Sequence, residues 1–281
     1  PFVRMFIDDL IVFSDDWDVH ATHVQQVVEI LTANNLVLNI DKCHLGRLQL
    51  RLLGFVISSY GRYADPSRIA SIDKWTPPVT GKQLQHILGF ANYFREHMPL
   101  ISRITAPLDK LRNETDLRPL WKEEQETAFA SLKEMLEKAL PLAYPDYRQP
   151  FVIATDASNV GIGAALYQIV DNKKRWISFQ ARALSTSERN YSATKRELLG
   201  IVYALRRFHH YIWGTHFTLF TDHAALTYLH TQKQLNPMLV GWYETIFDYD
   251  FSIHHRPGVQ NILPDRLSRL FHDVDVAPSP V

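Results

Sequence analysis

The chain has 281 residues, of which 46% are hydrophobic and 21% charged, with 30 basic residues balanced by 30 acidic ones. This composition excludes a disordered tail, and the length allows two or more compact units. No apolar run is long enough to cross a bilayer, so no membrane partner is expected, and a single cysteine, Cys43, excludes an internal disulfide and is expected as a small buried thiol.

The chain enters a strand pattern at Pro1 and Phe2 and is expected to begin inside a domain. Residues 2–14 read FVRMFIDDLIVFS, two β-rich runs around Asp8 and Asp9, which predicts a hairpin with acids at its turn. From Asp18 to Asn34, Val24, Val27, Val28 and Leu31 recur at helical spacing, and Asn34-Asn35 ends that helix. Strands are expected at Leu36–Ile40 and Leu52–Ile57. Asp65-Pro66 predicts a helix start, with Asp as cap and Pro in the first turn. Helices then follow over Thr80–Arg95 and Trp121–Ala139. Pro141, Pro145 and Pro150 break the pattern and place a boundary near 141–150.

Beyond it the spacing predicts strands at Phe151–Thr155, Gly161–Ile169 and Arg175–Gln180. A long helix is expected from Ser187 to about Tyr211, and a strand over Phe217–Thr221. Two helical stretches, a strand at Phe251–His255 and a helix at Ile262–Leu270 complete the order. Three consecutive strands, then alternating helices and strands, argue an α/β (α+β) mixed sheet with helices packed on it. The tail after Phe271 is expected to be loose.

Four acids carry the chemical signal. Asp156 ends a strand in ATDAS, Glu197 sits in the long helix in TKRELLGIVYAL, Asp222 ends a strand in LFTDHAAL, and Asp265 opens a helix in NILPDRLSR. Taken one at a time, each is an ordinary cap or turn acid. Together, strand-end acids and a helix acid converging on one sheet edge would repel one another, and divalent metal is the natural compensation. Oxygen-only ligands favour Mg²⁺ or Mn²⁺ over zinc. Two ions roughly 3.5–4 Å apart can clamp both the attacking and leaving oxygens of a phosphodiester displacement.

The succession TDAS, KRELLGIVYAL, TDHAAL and PDRLSR resembles the ribonuclease H domain of gypsy-type long-terminal-repeat reverse transcriptases. The resemblance implies a ribonuclease H fold with a mixed five-stranded sheet, hydrolysis of the RNA strand of an RNA:DNA hybrid, and Asp156, Glu197, Asp222 and Asp265 as catalytic metal ligands for two Mg²⁺ ions. His255, in FSIHHRPG, stands where these elements usually show tyrosine and where many other ribonucleases H carry a catalytic histidine. It either assists proton transfer and product release or makes local hydrogen bonds at a strand end.

FIDDLIVFS resembles the palm hairpin of a reverse transcriptase, with Asp8 and Asp9 as metal-binding acids. Leu53-Gly54-Phe55 matches the primer-grip position, LQHILGFANYFREHMP the first thumb helices and WKEEQETAFASLKEML the connection. The resemblance therefore divides the chain into a partial palm (1–64), thumb and connection (65–145), ribonuclease H domain (146–271) and tail (272–281). Such polymerases need a further palm aspartate and fingers, which this stretch does not carry, so it is not expected to polymerise DNA. Lys82, His86, Tyr93, Arg95 and His97 are candidate phosphate or stacking contacts on the thumb helices, with a solvated helix face as the plain alternative. The Arg206-Arg207 and His209-His210 run either touches nucleic acid or complements a helix C-terminus.

Expected partners are the RNA:DNA hybrid, a template-primer duplex and a reverse-transcriptase dimer partner. The alternatives to a nuclease are an inactive nucleic-acid-binding remnant and a structural subunit of such a dimer. With no targeting segment visible, an intracellular location is expected, cytoplasmic in a virus-like particle or nuclear.

Overall fold

The computed structural model describes residues 2–99, 101–221 and 237–255. The chain forms two compact units, Pro1–Leu48 and Gln49–Val281.

In the first unit, β1 (Val3–Phe6) and β2 (Asp9–Val12) form the predicted antiparallel hairpin, with Phe6 opposite Asp9. Ile7 sits in its turn at φ 53°, a left-handed conformation that a β-branched residue adopts only under strain. α1 (Trp17–Ala33) starts where the Asp16 carboxylate accepts the backbone N–H groups of Asp18 and Val19 at 2.8 and 3.1 Å. The strand expected over Leu36–Ile40 is not formed. Asn35 turns the chain at φ 55°, Val37 is 96% exposed, and among the described residues no strand pairs with the run. Cys43 is half-buried, and its thiol donates to the Asn39 carbonyl.

The second unit opens with the antiparallel meander β3 (Gln49–Leu52), β4 (Phe55–Ser58) and β5 (Gly61–Ala64). The single strand expected over Leu52–Ile57 is instead split by a two-residue turn at Leu53 and Gly54, both at positive φ (49° and 77°). Asp65 caps α2 (Pro66–Ile69) as predicted, and Thr80 opens α3 (Gly81–Tyr93) with a capping box closed by Gln83. α4 (Ile101–Asp109) and α5 (Glu123–Glu137) complete a helical layer around Leu84, Phe94, Met98, Leu108, Leu132 and Leu136. Gly61, at φ 142°, lets β5 lie against the Leu142 carbonyl; a Cβ there would stand 2.2 Å from that oxygen.

β6 (Phe151–Ala157), β7 (Gly161–Val170), β8 (Lys173–Ala183), β9 (Phe217–Thr221) and β10 (Phe251–His255) form the five-stranded mixed sheet, in spatial order β10-β9-β6-β7-β8. β6, β7 and β8 are antiparallel, and β9 and β10 run parallel to β6. The long helix expected from Ser187 is broken: α6 (Thr186–Arg189) ends at Asn190, and α7 (Ala193–Ile212) restarts where the Ser192 hydroxyl accepts the Lys195 N–H at 3.3 Å. Two N-capping serines, Ser185 and Ser192, each begin their own helix.

Strand alternation sorts the sheet's side chains onto two faces. Phe151, Ile153, Ile162, Leu166, Phe217 and Leu219 pack under α7 and α8 (Pro237–Phe247). Val152, Ala154, Ala165, Tyr167 and Phe179 pack on the opposite face, with Leu140 and Leu142. Ala181 of β8 belongs to the core of the helical layer, so that layer and the sheet share packing. The helix predicted over Ile262–Leu270 and the tail lie outside the described residues.

Candidate functional site

The C-terminal end of β6 gathers the described candidate groups. Asp156 is the penultimate residue of the strand, and its side chain is 16% exposed. Alternation places it on the face of Val152 and Ala154, away from α7. Its Oδ2 accepts a charge-assisted hydrogen bond from the Arg103 guanidinium of α4 at 2.6 Å.

Glu197 lies near the start of α7 and is 7% exposed. One turn along the same helix face is Gly200, where a Cβ would stand 3.9 Å from the Ala157 side chain and 4.0 Å from Ile162. α7 therefore crosses the sheet at the end of β6, and Glu197 is carried to that end from the other face. The bidentate pair of Arg182 with Glu188, at 2.7 and 2.8 Å, ties β8 to the α6 capping box that precedes α7. This pair holds the Glu188 carboxyl at about 2, well below the usual range, through the Arg182 hydrogen bonds first.

β9 runs parallel to β6 with Ala154 level with Phe220, and its last described residue is Thr221. Asp222 and Asp265 lie outside the described residues, and among those that are described no three His, Cys, Asp or Glu side chains gather as a metal cluster. His255 closes β10 opposite Thr221. Asp8 and Asp9 are both exposed at the hairpin turn of the other unit.

The thumb-helix candidates separate on inspection. Lys82 and His86 are exposed on α3, and Tyr93 is 53% exposed and stacks on Phe55 while its hydroxyl donates to the Leu53 carbonyl. His97 is only 1% exposed, so it is neither the candidate phosphate contact nor part of a solvated helix face: its Nδ1–H donates to the Leu140 carbonyl at 2.7 Å. Burial drives its pKa down to about 4. Arg95 donates to the Ala181 carbonyl and serves the junction of helices and sheet. Arg206, Arg207 and His209 find local partners in Thr245, Gln180 and Tyr249.

Arg103 was not visible as a site residue in the sequence, because its partner lies 53 residues away and no motif contains it. What the described site offers is two carboxylates of low exposure at one strand end, with a cation already seated on one of them. All-oxygen donors of this kind fit a hard divalent ion.

Residues 146–249 match the RNase H-like domain found in reverse transcriptase. Over 95% of its length the chain is 31% identical to a retrovirus-related Pol polyprotein from the transposon opus of Drosophila melanogaster, covering 28% of that protein. It is 34% identical to the Pol polyprotein of transposon 297 from the same organism, covering 25% of it, and 31% identical to the transposon Tf2-3 polyprotein of Schizosaccharomyces pombe, covering 21%. The chain thus spans about a quarter of the length of these curated relatives. Among solved structures it superposes on a foamy viral protease-reverse transcriptase in complex with double-stranded DNA (TM-score 0.78, 21% identity, 91% of this chain and 46% of that one). It superposes equally on one in complex with an RNA/DNA hybrid (TM-score 0.77, 21% identity, 100% and 38%). These structures share its fold.

Proposed function

From a chain that is homologous to the Pol polyproteins of long-terminal-repeat retrotransposons, and that carries their RNase H-like domain at residues 146–249, we propose a nuclease that hydrolyses the RNA strand of an RNA:DNA hybrid. The observation that carries this reading is that α7, three residues after Glu197, packs Gly200 against Ala157 at the end of β6, next to Asp156.

Asp156 and Glu197 would hold the divalent ions, joined by Asp222 and Asp265. Mg²⁺ or Mn²⁺ bound there would supply charge stabilisation for the attacking and leaving oxygens of a phosphodiester displacement. The protein's own part is positional. The rigid sheet fixes Asp156, and the α6–α7 junction fixes Glu197. The 2′-hydroxyl marks the strand to be cut, and the shape of the hybrid admits the duplex. Lys82 and His86, both exposed on α3, would meet backbone phosphates. His255 remains a candidate for proton transfer beside this site. Asp8 and Asp9 would serve as metal-binding acids of a polymerase hairpin.

The test is cleavage of a labelled RNA:DNA hybrid with Mg²⁺, with duplex DNA and duplex RNA as controls. The expected result is cutting of the RNA strand alone, stopped by chelator. Asp156→Asn keeps the shape and removes the charge, and should abolish cutting while sparing hybrid binding. Full cutting by Asp156→Asn would remove that carboxylate from the site. A folded, hybrid-binding chain that cuts nothing would leave a structural role.

A further inference from the structure

Arg103 stands outside the matched domain, yet its guanidinium occupies the carboxylate of Asp156. The contact is delivered by packing. The neighbouring residues Ile101, Ser102, Thr105 and Leu108 are buried, and Gly161 lets the Ser102 hydroxyl lie against the first residue of β7, 3.2 Å from where a Cβ would stand. α4 therefore fixes the Arg103 backbone beside the end of β6.

The pair is short and sheltered, with the two side chains 29% and 16% exposed. It is also imperfect, since the Arg103 Nε is buried with no hydrogen-bond partner among the described residues. Arg103 also lines a groove with Glu123 and Glu124 at the start of α5; Glu124 pairs with Lys110 at 3.7 Å, and Glu123 offers a second acidic place for a guanidinium to rest.

We propose that Arg103 is a competing cation. It holds Asp156 when no metal is bound, must leave Oδ2 for metal to bind there, and so sets the site's metal affinity from the neighbouring helical layer. This rests on the reading of Asp156 as a metal ligand. A guanidinium and a divalent ion both seek the lone pairs of one carboxylate oxygen, so each weakens the other's hold. The groove by Glu123 gives the displaced side chain a charged destination, which makes the exchange a switch between two seats.

The experiment is Mn²⁺ binding followed by electron paramagnetic resonance of the free ion, which needs no turnover. Arg103→Gln should bind Mn²⁺ about three- to tenfold more tightly than the wild type, the range expected for removing one sheltered charge-assisted partner. Equal or weaker binding by Arg103→Gln would overturn the proposal, because it would make Arg103 a bystander or an aid to the metal. In the wild type, which avoids any folding defect of the variant, Mg²⁺ should speed solvent exchange of the Arg103 guanidinium protons. Unchanged exchange at saturating Mg²⁺ also overturns it. Asp156→Asn separates the two readings. If it binds Mn²⁺ like the wild type, the metal reading fails. If it loses binding while Arg103→Gln matches the wild type, only the role of Arg103 fails.

Discussion

The hairpin and helix of Pro1–Leu48 and the sheet of residues 151–255 are built from equally apolar sequence, yet they treat it in opposite ways. Among the described residues of the first unit none is buried: Met5 is 73% exposed, Ile7 76% and Val37 96%. In the sheet and the α7 helix packed on it, Ile153, Leu166, Leu205, Phe208, Phe217 and Leu219 are closed off completely. The local rules are obeyed in both places, since β1 pairs with β2 in clean register and Asp16 caps α1 as well as Ser192 caps α7. The difference is layers. β6 has neighbours on both edges and packing on both faces, whereas a two-stranded hairpin has too little surface to enclose anything and is marginal alone. Secondary structure follows from local sequence, and burial follows from having something to pack against.

The sharpest way to break this comparison is to delete the same ring from each unit. Phe208 of α7 is 0% exposed and Phe6 of β1 is 48% exposed. Phe208→Ala should cost about 3–5 kcal/mol, and Phe6→Ala should stay within about 0.5 kcal/mol. Urea unfolding of the two variants measures both. Comparable losses would mean that Phe6 is covered in solution and that the two units are not different in kind.

The same contrast governs what could be read from the sequence. The strands β6 to β10 and the helix starts at Asp65-Pro66 and Thr80 were legible because the signals are local: alternation, a capping side chain, a proline in the first turn. Asp156 and Glu197 stand out in the strings ATDAS and KRELLG, and the fold brings both segments to the region where β6 ends. The turn at Leu53-Gly54 was missed because leucine is not a turn former and the flanking run is uniformly apolar. Leu36–Ile40 has strand composition, but pairing is a property of neighbours, which composition does not contain. The break between α6 and α7 is written in the caps Ser185 and Ser192, but the helical period that spans both helices masks it. Arg103 on Asp156 and the buried His97 join segments 53 and 43 residues apart, and no local pattern announces either.

His97 offers a second way to sharpen the comparison, because it is a titratable group enclosed within the packed unit. Its ring is held neutral by burial, with a pKa near 4 against an ordinary 6.5. Above pH 6.5 the ring is neutral both folded and unfolded. As the pH falls from 6.5 to 4 the unfolded chain takes up a proton that the folded chain refuses, so stability is lost. The loss should reach roughly 3 kcal/mol by pH 4. Urea midpoints of the wild type and His97→Gln across this range isolate it, since carboxylates titrate in both. If both proteins lose stability with the same slope, His97 is not the group that responds.

The smallest effect is the most discriminating, because it applies one chemical change to two helices of similar length. Asp16→Ala and Ser192→Ala each remove a side chain that accepts first-turn N–H groups, at 2.8 and 3.1 Å in α1 and 3.3 Å in α7. Each cap is worth about 1 kcal/mol. The consequences should differ. α7 buries ten residues, from Glu197 to Ile212, and is held by the sheet, so Ser192→Ala should lower the global stability by that amount and leave the helix formed. α1 fully buries none of its described residues, and a helix of 17 residues with so little tertiary cover is marginal in water. There the lost cap comes straight out of the helix population, and amide exchange over Trp17–Ala33 should accelerate about fivefold while the sheet amides stay as they were. Unchanged exchange in α1 would show that packing, not capping, holds that helix, and that its apolar side is covered after all.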